Sequence, residues 1–188
     1  MNAKTDSTEL AQNVLGIVLA GGASRRMGQD KTDMIWHGHT LLQHACTLLQ
    51  DIGCASVCVL GRPDLENGLA DATPGAGPGQ ALLQALELAR KHSMRGILAL
   101  PADMPLLSED ILYPLLNAPD NMASAWARYP LPLFLPSTVS PADPPKINAI
   151  RDLLNAGPVK RPRLPQSFEA LMLNVNAPED FTTLGQHE

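Results

Sequence analysis

Cysteine is scarce in this chain: three in 188 residues, Cys46, Cys54 and Cys58. The number is odd, and no CxxC or Cys/His pairing has zinc spacing, so neither a disulfide framework nor a structural zinc site is expected. Cys54 and Cys58 flank or lie in an apolar segment, as buried structural thiols do. Excess basic charge is absent too. Fourteen Lys and Arg face 19 Asp and Glu, a formal net charge of −5, which excludes a broad nucleic-acid surface. No apolar run approaches membrane-spanning length. The opening "MNAKTDSTELAQN" lacks the apolar core of a signal peptide. These absences lead to the expectation of a soluble cytoplasmic protein with no nucleic-acid or membrane partner. Residues 1–13 are expected to form a flexible tail and residues 14–188 a single domain, whose 45% hydrophobic content suffices for one sizeable core.

What is present is an alternation of apolar runs and helical patterns. "VLGIVLA" (14–20), "ASVCVL" (55–60) and "GILAL" (96–100) read as strands, the first as a central parallel one. Between and after them, 40–53, 79–93 and 108–117 carry helical spacing. Leu41, Leu42, Ala45, Leu48, Leu49 and Ile52 share one face of the first helix, Gly53 stops it, and Ser108 opens the third. The order βαβαβα argues for an α/β fold with a parallel sheet covered on both faces. The second half is less regular. Residues 122–127 and 131–136 are short strand candidates, and Pro132 argues that the latter is not central. "PADPP" (141–145) is a stiff loop, 146–157 a helix, 171–175 a last strand, and "NAPEDFTTL" the start of a terminal helix. The "HGH" at 37–39 is either a metal-binding pair or an exposed turn.

The chemistry concentrates at two strand ends. "LAGGASRRMGQDK", Leu19–Lys31, leaves the first strand at the edge where open parallel sheets bind ligands. Gly21 and Gly22 let backbone N–H groups approach a ligand, and Arg25, Arg26 and Lys31 can make charge-assisted bonds to phosphate oxygens. The spacing is neither that of a P-loop, GxxxxGK[ST], nor of a dinucleotide fingerprint, GxGxxG. A tight turn with solvated arginines is the bland alternative. The second end is "ILALPADMPLL" (97–107), where Asp103, bracketed by Pro101 and Pro105, lies where a magnesium ligand would sit; a turn aspartate bonding nearby amides is its alternative.

Together these residues resemble the molybdenum cofactor guanylyltransferase family, within the wider nucleotidyltransferase group. "LAGGASRRMGQDK" is similar to that family's LAGG-x-S-x-RMG-x-DK signature, "PADMPLL" to its acidic loop, "GPGQAL" to its GPLAG turn and "NVNAPED" to its NVNTPED ending. The resemblance implies a Rossmann-like three-layer nucleotidyltransferase fold with a mostly parallel central sheet. It also implies a Mg²⁺-dependent enzyme that transfers GMP from GTP to molybdopterin and releases pyrophosphate. Carried over, Leu19, Ala20, Gly21 and Gly22 would hold base and ribose. Arg25 or Arg26, together with Lys31, would neutralise the triphosphate, and Asp103 would hold Mg²⁺. Asp71 would be a nucleotide contact, and Asn174 and Asn176 would face the acceptor or metal edge, with a helix cap as the alternative for Asn176. Other cofactor-biosynthesis or acceptor proteins stay open as partners. No Ser/His/Asp or Cys/His set is expected, because phosphoryl and nucleotidyl transfer rest on positioning and charge neutralisation.

Departures from the family pattern bear on specificity. Gln80–Ala81 stand for the usual Ala–Gly, and Leu60–Gly61 follow the second strand where a polar residue is common. Residues 128–146 are short and proline-rich, and "KRPRLP" (160–165) matches the family's basic segment loosely. Gly22 and Met104 favour GTP over CTP on the family pattern. A cytidylyl relative, another acceptor, or a non-catalytic nucleotide-binding module are the other readings.

Overall fold

The computed structural model describes residues 9–20, 31–141, 144–176 and 179–184. Its centre is a seven-stranded sheet. In chain order the strands are β1 (Val14–Leu19), β4 (Ser56–Leu60), β5 (Gly68–Leu69), β6 (Gly96–Pro101), β7 (Ala123–Ala125), β8 (Leu133–Pro136) and β9 (Val159–Lys160), and they lie side by side as β5-β4-β1-β6-β8-β7-β9. β2 (Ile35–Trp36) and β3 (His39–Thr40) form a separate hairpin. β1 pairs in parallel with β4 and β6, and β4 with β5. β8 runs antiparallel to both its neighbours, which returns β7 and β9 to the direction of β6. The sheet is therefore mostly parallel, with one reversed strand inside it.

Both faces are covered, and the alternation along the central strands shows how. Val14 and Val18 of β1, Leu98 and Leu100 of β6 and Phe134 of β8 meet helices α1 (Leu41–Asp51) and α3 (Glu109–Leu116) on one side. Leu15, Ile17, Ile97, Ala99, Leu133 and Leu135 meet α2 (Pro78–Lys91) and α4 (Ile150–Asn155) on the other. This period-two split of nearly continuous apolar runs is what burial on both faces requires. A Cβ at Gly16 would lie 3.1 Å from Leu49 Cδ1, so α1 packs directly on the backbone of β1. Thr40 starts α1 with a reciprocal capping box to Gln43, a helix-start device worth on the order of 1 kcal/mol. Among the described residues no helix is long and apolar enough to cross a membrane.

Several expectations are corrected. Within 9–13, assigned to the tail, Ala11 is fully buried, Leu10 lies against the core, and Asn13 O accepts from Arg95 N. The segment 131–136 is a central strand, because its prolines fall outside the donors the ladder needs: Leu133–Leu135 pair with β6 while Pro132 precedes the strand and Pro136 ends it. Residues 171–175 are not a strand. A 3-10 helix (Gln166–Met172) takes the start of the segment, and both sides of β6 are already filled by β1 and β8. Val175 docks instead through one bond, its N–H to Asp103 O at 2.7 Å. The helix expected over 146–157 begins at Ile150, because Asp152 Oδ2 accepts from the N–H groups of Asn148 and Ala149 and caps the chain there. The "HGH" stretch is the β2–β3 turn, with positive φ at His37 and Gly38, the conformation of a tight two-residue hairpin turn. β5, β9 and the β2–β3 hairpin were not expected; each is only two residues per strand, too short for a period to register.

Candidate functional site

β1, β4, β5 and β6 all end at one edge of the sheet, and the charged side chains gather just beyond it. β1 is locked to its neighbours there: Ala102 N donates to Leu19 O (3.2 Å) and Ala20 N to Leu60 O (3.0 Å). These main-chain groups of Leu19 and Ala20 are occupied by the sheet, so a ligand would meet the remaining surface of the pair. Gly21, Gly22, Arg25 and Arg26, which follow, lie outside the described residues.

Lys31 opens a 3-10 turn, Lys31–Asp33. Its Nζ donates to Asp103 Oδ2 at 2.7 Å and to Asn176 Oδ1 at 3.1 Å. Residues 72 and 145 positions apart from Lys31 thus converge on one ammonium, with 24% of the Lys31 side chain and 17% of Asp103 exposed. A pair this open stays reachable by a ligand. Asp103 is gripped twice, by Lys31 at its carboxylate and by Val175 N at its carbonyl oxygen. Met104, next along, is buried in the core. The backbone N–H of Asn176 donates to Asp180 Oδ2 (2.6 Å) at the start of α5 (Asp180–Leu184), while its side chain turns to Lys31.

Not every sequence candidate joins this group. Asn174 is exposed on the strand-like approach to Val175. Asp71 follows the edge strand β5, and its Oδ1 accepts from Thr73 N at 2.9 Å, an Asx turn that opens the second glycine-rich turn. That turn is anchored elsewhere. Gly77 has φ +90°, a Cβ on it would lie 2.4 Å from Asn148 O, and Gly79 N donates to the same oxygen at 2.9 Å. Gln80, where the family carries Ala, donates through Nε2 to Pro144 O (2.5 Å) and Ile147 O (2.8 Å). The departure at Gln80 and the shortened proline-rich segment are therefore one structural unit.

Arg62 is the residue that motif reading missed. It stands two positions past β4, at the same edge, and its side chain bonds Thr32 Oγ1 (3.2 Å) and Asp33 Oδ1 (2.9 Å), the two residues after Lys31, as well as Asp64. Hydrogen bonds to Asp64 and then Asp33 push its pKa further up, so it is always charged. An arginine directly after a strand at the ligand edge was the available signal. Burial raises the thiol pKa of all three cysteines, Cys54 to about 12. They are free and partly buried. Among the described residues, no group of three or more His, Cys, Asp or Glu could hold a metal ion. The oxygens that fit one are those of Asp103 and Asn176: they already converge on a single cation, the Lys31 ammonium, and are the hard donors Mg²⁺ takes, one carboxylate with phosphate and water completing the shell.

Lys31 and Asp103 meet beyond the carboxyl edge of the sheet, and residues 16–154 match the family model of the MobA-like NTP transferase domain. The chain belongs to that family and is a nucleotidyltransferase. Over 177 residues it is 34% identical to the molybdenum cofactor guanylyltransferase of Xanthomonas euvesicatoria pv. vesicatoria (strain 85-10), across 90% of this chain and 93% of that protein. The molybdenum cofactor guanylyltransferase of Acidiphilium cryptum is also 34% identical, over 57% of this chain and 59% of its own. The fold is shared with the molybdopterin-guanine dinucleotide biosynthesis protein A of Archaeoglobus fulgidus, at TM-score 0.67 and 18% identity over 92% of this chain and 97% of that one. It is shared as well with the 2-C-methyl-D-erythritol 4-phosphate cytidylyltransferase of Thermus thermophilus, at TM-score 0.62 and 15% identity over 93% of this chain and 98% of that one.

Proposed function

We propose that this nucleotidyltransferase transfers GMP from GTP to molybdopterin, with Mg²⁺ held at Asp103. The observation that carries the reading is the meeting of Lys31, Asp103 and Asn176 at one point, since each belongs to a different motif of the guanylyltransferase pattern. Support comes from the near full-length relative of that name. A terminal phosphate oxygen of the acceptor attacks the α-phosphorus of GTP, a new P–O bond forms, and the bond to the β-phosphate breaks to release pyrophosphate. Asp103 and Asn176 would hold Mg²⁺, which when bound supplies positive charge at the phosphate oxygens. Lys31 exchanges its bond to Asp103 for the triphosphate, and with Arg25 and Arg26 offsets the charge that develops on the departing pyrophosphate. Leu19, Ala20, Gly21 and Gly22 hold base and ribose, Asp71 lies on the nucleotide side, and Asn174 faces the acceptor.

The test offers GTP, CTP, ATP and UTP together with Mg²⁺ and molybdopterin and reads the dinucleotide by mass spectrometry. A guanine dinucleotide that disappears in Asp103→Ala is the expected result. A cytosine product keeps the chemistry and overturns the base assignment. Nucleotide binding without any product overturns the acceptor.

A further inference from the structure

The turn that carries Lys31 crosses the end of β1 and is held from both sides. On the β6 side the Lys31 ammonium reaches Asp103 and Asn176. On the β4 side the contact is Arg62, through Nη1 to Thr32 Oγ1 and Asp33 Oδ1. Arg62 is itself fixed. Nε and Nη2 bond the carboxylate of Asp64, Leu65 N donates to its carbonyl oxygen, and a Cβ at Gly68 would fall 1.8 Å from that oxygen. Its side chain is only 14% exposed, against 50% for Asp33 and 57% for Asp64, so the guanidinium is a half-enclosed bridge between two more open carboxylates.

We propose that Arg62 is a positioning residue that sets the Lys31 turn, and through it the place of the Lys31 ammonium relative to the nucleotide's phosphates. A planar guanidinium with its fork of N–H donors can hold Asp64, Asp33 and Thr32 at once; an ammonium cannot span them. Charge stabilisation at a phosphoryl group depends on placement at the ångström scale, so a turn that has lost the Arg62 fork delivers Lys31 poorly even when the fold is intact. The inference rests on the nucleotide reading given above.

The experiment measures binding of Mg²⁺·GTP and of guanosine by calorimetry, with thermal melts, for the full chain and for Arg62→Ala, Asp33→Ala, Lys31→Ala and the Arg62→Ala/Lys31→Ala pair. Expected for Arg62→Ala is a loss of GTP affinity of about tenfold, the scale of one charge-assisted hydrogen bond, with guanosine affinity unchanged. Asp33→Ala shifts GTP affinity in the same direction, and the double variant binds GTP no worse than Lys31→Ala. Equal losses for GTP and guanosine, or additive losses in the double variant, overturn the proposal, because Arg62 then acts without Lys31. A loss in Lys31→Ala with none in Arg62→Ala overturns the positioning role and leaves the nucleotide reading standing. No loss in either overturns both. Should Arg62→Ala fail to fold, Arg62→Lys, which keeps the charge and loses the fork, is read by the same outcomes.

Discussion

Lys31 and Arg95, at opposite edges of the sheet, hold their charge in opposite ways. At the carboxyl edge, Lys31 is shared between two side-chain oxygens that a ligand or metal could claim. At the amino edge, Arg95 precedes β6 and is bound into the framework. Its Nη2 donates to Ala118 O, its Nε to Asp120, and its guanidinium stacks over the Phe134 ring at 4.7 Å. Its Nη1 is buried with no hydrogen-bond partner among the described residues. Arg95 also ties the chain through its backbone, N–H to Asn13 O and carbonyl to Ser137 N. Lys31 holds its charge in exchangeable contacts; Arg95 spends its own on a main-chain carbonyl, a carboxylate and an aromatic face. The first arrangement suits chemistry, the second rigidity.

That contrast breaks most visibly at Asp103. Asp103→Ala is expected to lower turnover by about 10²–10³-fold, the loss typical of removing one preorganised charge-stabilising group. The melting curve should barely move, since a partly exposed ion pair contributes about 1 kcal/mol or less. Turnover assays beside calorimetric melts decide it, and a large fall in melting temperature would place Asp103 in the framework instead. Arg95→Ala should do the reverse, costing roughly 2–3 kcal/mol in denaturant unfolding through its lost hydrogen bonds and ring contact. GTP affinity should hold, and a matching loss of affinity would erase the distinction between the edges.

Lys31→Ala sharpens the comparison on the ligand side. GTP affinity should fall about tenfold or more while guanosine affinity stays, as for the loss of a charge-assisted contact; equal losses would mean that Lys31 only braces its turn. A smaller effect belongs to Asp152, whose carboxyl is held below its ordinary value by the N–H groups of Ala149 and then Asn148. Because the folded-state pKa is depressed, its stabilisation is complete above the unfolded value and is lost as pH falls through the folded one. The stability gap between the native chain and Asp152→Asn should therefore be flat near neutrality and close only below about pH 4; a gap that changes between about pH 6 and 8, well above that carboxylate range, would point to another group. Smallest is the thiol signal. Cys54, just before β4 at the amino edge, has its pKa pushed up to about 12 by burial, so alkylation at about pH 8 should wait for unfolding, and rapid labelling of the native protein would show that edge to be open.

Much of the first half was legible because its signals are local. The apolar runs at 14–20, 55–60 and 96–100 and the helical faces between them register at their own periods. The strands they mark end where the glycine turn and Asp103 were noted. The second half was harder for a physical reason: its strands are two to four residues long, and their identity depends on which ladder positions are free. The apolar run at 171–175 satisfies a strand pattern locally, yet β6 already had two partners. Pro132 argued against a central place for the 131–136 run, yet the pairing of Leu133–Leu135 needs no donor from that proline.

By itself the sequence determined the α/β class, the parallel core strands and the roster of charged residues near their ends, because side-chain type and spacing set burial and propensity locally. Only the tertiary structure decided that Lys31, Asp103 and Asn176 share one point, that Asp71 bonds within its own turn and that Gln80 ties down the proline-rich segment. It alone placed Arg62 behind the Lys31 turn. Those facts are contacts between positions mostly far apart in the chain, and their geometry is set by strand order and helix packing, which no local pattern encodes.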